Sequence, residues 1–113
     1  MAKRRKPSED ECLKLMRSRD AMTAEEGFDL LLCQADDHVE RLMAEFEAET
    51  RGDMRGWLLE LIGEARSELA LDLLIREACL RDESRLSWAV RGLELLGTPA
   101  ARQALYDLRT GKL

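Results

Sequence analysis

Apolar residues return every three to four positions along most of this chain, the period of an amphipathic helix. Ser8 and Glu11 form a capping-box pattern, so a first helix is expected from Ser8, with Cys12, Leu15 and Met16 as its apolar stripe. Thr23 and Glu26 repeat the pattern ahead of Phe28, Leu31, Leu32 and Ala35, and Asp37 with Glu40 repeats it again. A third helix over 38–48 then turns Val39, Leu42, Met43 and Phe46 inward. The spacing predicts a fourth helix over 54–62 that stops near Gly63, a residue type suited to a C-terminal cap. A fifth comes next over 67–80, with Leu71, Leu74, Ile75 and Ala78 inward, and a sixth over 86–96 that stops at Gly97. Thr98-Pro99 starts a seventh, with Thr as cap, Pro at the first helical position, and Leu105 and Leu108 inward. Trp57-Leu58-Leu59-Glu60-Leu61-Ile62 is apolar nearly all round, so the fourth helix should be buried on more than one side.

Leu59-Glu60-Leu61-Ile62-Gly63 returns 34 residues later as Leu93-Glu94-Leu95-Leu96-Gly97. The register continues, since Ala70, Leu71 and Leu74 align with Ala104, Leu105 and Leu108. A helical period of this length points to stacked helix pairs, each needing its neighbour to bury an apolar face. Val39, Leu42 and Phe46 join the register against Leu71, Leu74 and Ala78 once a two-residue difference in loop length is allowed.

The run from Leu86 to Gly97, continued by Thr98-Pro99-Ala100-Ala101-Arg102-Gln103-Ala104-Leu105, resembles HEAT-type repeats over roughly residues 36–108. Glu94 departs from that pattern, where a small residue is common, and the array is short. The resemblance implies an all-α fold: a short right-handed α-solenoid of antiparallel helix pairs, about two and a half repeats behind N-terminal capping helices. The expected layout is a disordered basic tail over 1–7 and one helical-repeat domain over 8–113, with capping helices at 8–35 and repeats at 36–113. It also implies a protein-binding scaffold, without naming a partner, because fold and function separate easily.

Composition changes this picture mainly through charge. The 113 residues carry 18 basic and 23 acidic side chains. Four of the basic ones, Lys3, Arg4, Arg5 and Lys6, sit in the leader, so the remainder holds fourteen basic against 23 acidic residues, a net charge of −9. An acidic body disfavours phosphate binding, which needs a positive surface, and favours a basic protein partner or plain solubility. Cys12, Cys33 and Cys79 form no CxxC pair, so reduced buried thiols are expected and no zinc site. No signal-peptide pattern comes after the basic start and no apolar segment is long enough to span a membrane, which together suggest a cytoplasmic protein.

Little of the sequence reads as chemistry. His38, the one histidine, is flanked by Asp36, Asp37 and Glu40, a set better read as an acid-rich helix start than as a metal site or a general base. The glycines form no phosphate loop, and no Ser, Cys and His set reads as a nucleophile with its base. The expectation is a non-enzyme with no cofactor, no metal and no small-molecule substrate. Trp57 and Trp88 stand out, because Trp is enriched where binding energy concentrates. Trp88 falls outside the Leu86, Ala89, Val90, Leu93, Leu96 stripe, on the flank with Gly92 and Leu95. Glu60, Glu64, Arg91 and Glu94 are the polar groups expected beside the two Trp residues. The reading these residues favour is an interaction module, an acidic bacterial immunity or inhibitor protein that neutralises a basic toxin-type partner. A HEAT-like accessory or chaperone subunit is the alternative, and a nucleic-acid-binding repeat protein is disfavoured by the acidity.

Overall fold

Each helix of the computed structural model begins or ends at a local signal, and seven α-helices succeed one another with no strand among the described residues, 7–113. The expected basic tail lies outside that range apart from Pro7. The chain divides into two compact units, one ending at Gln34 and the other running from Ala35 to Leu113.

The first unit is a helical hairpin of α1 (Glu9–Met16) and α2 (Ala21–Leu32). Ser8 caps α1 as expected: its Oγ accepts from the Glu11 N–H at 3.1 Å and donates to Glu11 Oε1 at 3.1 Å. The Thr23/Glu26 cap does not form. Asp20 caps α2 instead, its carboxylate accepting from the Thr23 N–H at 2.9 Å and the Thr23 hydroxyl at 2.6 Å. An ionised cap interacts more strongly with the positive helix end than a hydroxyl does, and the exchange moves the cap three residues earlier. The hairpin closes at Gly27, where a methyl would lie 2.6 Å from the Cys12 carbonyl oxygen and 2.8 Å from the Met16 nitrogen. Cys12, Leu13, Met16, Ala24, Phe28 and Leu31 are buried, whereas Leu32 is exposed and Leu15 only half-buried.

The second unit opens with a single 3₁₀ turn, Ala35–Asp37, and continues as α3 (Val39–Ala48). The Asp37/Glu40 box is likewise absent: His38 occupies the cap position with no side-chain cap hydrogen bond. α4 (Gly52–Glu64) comes after a turn fixed by Glu49, whose buried Oε1 accepts from the N–H groups of Thr50 and Arg51 at 3.0 Å each. A 3₁₀ turn (Glu68–Ala70) leads into α5 (Leu71–Leu80), then come α6 (Leu86–Leu96) and α7 (Pro99–Thr110). Thr98 caps α7 through the Ala101 N–H with Pro99 at its start, as the sequence implies.

Helix α3 packs on α4, α5 on α6, and α6 on α7, while α4 also packs on α6 and α5 on α7. The core is Val39, Leu42 and Phe46 from α3, Leu58, Leu59, Leu61 and Ile62 from α4, Leu74 and Ala78 from α5, and Ala89 and Leu93 from α6. The expectation that α4 is covered on several sides holds. Four inward assignments weaken, because Met43, Leu71, Ile75 and Leu105 are only half-buried while Leu73 and Glu77 are buried. The thiols also need correcting: Cys12 is buried, but Cys33 and Cys79 are exposed, since each lies at a helix end past the inward stripe.

Gly63 is the largest correction. It does not cap α4, which continues to Glu64 and closes with Arg66 in the left-handed conformation at φ 53. Its role is contact, since a methyl there would lie 3.0 Å from the Gly92 Cα. Gly92 is equally constrained, a methyl meeting Leu74 Cδ2 at 2.8 Å and Gly63 Cα at 3.1 Å. Two glycines facing each other let the α4 and α6 backbones touch, which brings Arg91 of α6 within reach of Glu64 of α4.

Candidate protein-binding surface

On α4, Trp57, Glu60 and Glu64 are spaced by three and four residues, so they share one side of the helix. On α6, Trp88, Arg91 and Leu95 do the same. The glycine crossing brings these two ridges together. Arg91 Nη2 and Nε both reach Glu64 Oε1 at 2.9 Å. Trp88 stands one turn before Gly92, and its carbonyl oxygen would lie 3.7 Å from a methyl on Gly63, so its backbone belongs to the α4 side of α6. Both Trp residues are half-buried.

Electrostatics at this surface are unbalanced. Glu60 is partly buried, and desolvation pushes its carboxyl above the ordinary 4.5; the neighbouring Glu64 carboxylate pushes the same way and Arg91 opposes. One guanidinium therefore serves two carboxylates and is already engaged by Glu64. Glu60 makes no ion pair with Arg91 and feels its charge only partly, against burial and the Glu64 carboxylate.

Glu94, expected on this surface, lies elsewhere. It continues the Leu86, Val90 line at four-residue spacing and lines a cleft of 370 Å³ together with Arg81, Leu105, Leu108 and Arg109. The structure thus brings together Glu60, Glu64 and Arg91, flanks them with Trp57 and Trp88, and separates Glu94. Sequence reasoning missed the cleft. Its 86, 90, 94 spacing was readable, but the arginines that complete it come from the ends of α5 and α7.

Among the described residues no cluster of three or more His, Cys, Asp and Glu side chains could hold a metal ion, and no helix is long and apolar enough to cross a membrane. His38, half-buried at the start of α3, belongs to no such cluster. No protein-family model, curated protein or solved structure matches the chain.

Proposed function

We propose that this protein is a protein-binding helical-repeat module whose α4–α6 surface captures a basic partner. The order of packing supports the repeat part of the reading: successive pairs α3–α4 and α5–α6 are joined by α4 on α6, with α5 continuing onto α7, the contacts expected of a short HEAT-like α-solenoid ending in a half repeat. The partner reading is carried by one observation, two carboxylates, Glu60 and Glu64, that share the single guanidinium of Arg91 on the helix sides carrying the half-buried Trp57 and Trp88. A Lys or Arg placed at Glu60 supplies a second countercharge to this pair of carboxylates. The indole faces then provide apolar contact and cation–π attraction at short range. The acidity of the chain adds long-range steering.

In its sharpest form, the partner is a basic toxin and this protein its inhibitor. Capture from native lysate identifies the partner, and surface-plasmon kinetics test the surface. Association should slow as salt rises through about 0.15 M, where the Debye length is about 8 Å, and should slow again in Glu60→Lys/Glu64→Lys. Trp88→Ala should mainly speed dissociation. Kinetics indifferent to salt and to all three changes would remove the reading. Co-expression with the captured partner separates inhibition from simple binding: an inhibitor rescues the host from it.

A further inference from the structure

The cleft that holds Glu94 is a second site with different chemistry. Acidic side chains dominate residues 7–64, sixteen against six basic, whereas residues 65–113 hold seven against eight. The cleft lies wholly in that second region and is walled by Leu86 and Val90 of α6 and Leu105 and Leu108 of α7. Its 370 Å³ is within the range of small-molecule pockets, about 300–1,000 Å³, and far too small for a docked helix.

Two guanidiniums border the apolar wall. Arg81 is held in place, its Nη2 donating to the Leu108 carbonyl oxygen at 3.2 Å, which leaves its other N–H groups for a ligand. Arg109 is the next residue after Leu108, so both cations belong to one end of the cleft. Neither forms an ion pair among the described residues. Glu94 stands eight residues beyond Leu86 on α6, about 12 Å along the helix axis at 1.5 Å per residue. The cleft therefore has a cationic end, an apolar wall and an acidic far end.

We propose that this cleft binds a small monocarboxylate with an extended apolar body, the carboxylate on Arg81 and Arg109 and the body along Leu86, Val90 and Leu105. Arg pairs carboxylates through parallel N–H donors, which fixes the orientation of the head. Glu94 sets the selectivity, because a second carboxylate at the other end of the ligand would be repelled there. The site is independent of the α4–α6 surface, so each can fail alone.

Octanoate is the probe, tracked by amide NMR shifts and titration calorimetry on the full chain. Shifts should concentrate at Arg81, Leu86, Val90, Leu105 and Arg109. Octanol, which lacks the charge, should bind about tenfold more weakly, the loss of one charge-assisted interaction. Octanedioate should also bind more weakly than octanoate, and Glu94→Gln should narrow that gap. Arg109→Gln, an exposed position, should weaken octanoate about tenfold while leaving the melting temperature unchanged. No octanoate binding at low-millimolar concentration, equal binding of octanoate and octanol, or shifts scattered away from the cleft would overturn the proposal.

Discussion

Leu59–Gly63 and Leu93–Gly97 are nearly the same five residues, yet they end in different environments. Both strings begin at the eighth residue of their helices, α4 from Gly52 and α6 from Leu86. Leu59 and Leu93 are both fully buried. Beyond them the strings diverge: Leu61 and Ile62 are fully buried, while Leu95 and Leu96 are only half-buried. Gly63 stays helical and touches Gly92, whereas Gly97 turns left-handed at φ 64 and ends α6. The cause is the residue pair after each glycine. Thr98 precedes Pro99, which forces it out of helical geometry, so α6 must close at Gly97. Gly63 is succeeded by Glu64 and Ala65, neither of which breaks a helix, so α4 runs on and closes at Arg66. The repeated glutamates diverge as well, Glu60 beside Glu64 and Arg91, and Glu94 in the cleft with Arg81 and Arg109. A repeat sets which residues recur, but each helix's length and neighbours decide what the recurring residue does.

The largest expected effect separates the matched leucines. Leu61→Ala should cost about 3 kcal/mol in urea unfolding, within the span for deleting a fully buried leucine, and Leu95→Ala about half as much. Equal losses would erase the difference in burial. The glycines should then differ in kind. Gly92→Ala and Gly63→Ala each force two backbones apart and should cost about 2 kcal/mol as overpacking. Gly97→Ala should cost about 1 kcal/mol, through left-handed backbone strain alone.

Most elements were legible in the chain: the Ser8 and Thr98 caps, the Gly97 stop, and the burial of Leu58, Leu59, Leu61 and Ile62 all came from local spacing. The false caps at Thr23 and Asp37 had the right residue types, and Asp20 and a 3₁₀ turn took their places. Gly63 defeats a local reading because a glycine after an apolar run looks the same whether it frees φ or admits a neighbouring backbone. The second use depends on Gly92, 29 residues away. At the site, Glu60, Glu64 and Arg91 could be grouped from helical faces. Arg81 and Arg109 could not, since only the packing of α5 and α7 places them.

Smaller effects sharpen the helix ends and the charges. Arg66→Gly should give the left-handed closure of α4 the glycine that α6 already has there, a gain of about 1 kcal/mol in unfolding free energy. No gain would mean that Arg66 makes a compensating contact. Glu60→Gln should raise the melting temperature slightly near neutral pH. Glu60 is an acid whose folded pKa lies above its ordinary 4.5, so the folded state disfavours the ionised form. That cost is absent below 4.5, grows as pH rises, and is complete above the raised value. The advantage of Glu60→Gln should therefore vanish in acid, and an advantage that persisted there would have another source.

The most direct test of the proposed partner surface uses the repeat as its own control. Glu60→Lys and Glu94→Lys reverse the same charge at matched positions, so they change the overall charge equally. With the partner captured from native lysate, association rates of both variants should be measured at one moderate salt concentration. The account predicts that Glu60→Lys slows association well beyond the effect of Glu94→Lys. Equal slowing would mean that only total charge matters, and a larger effect of Glu94→Lys would place the partner on the other side of α6.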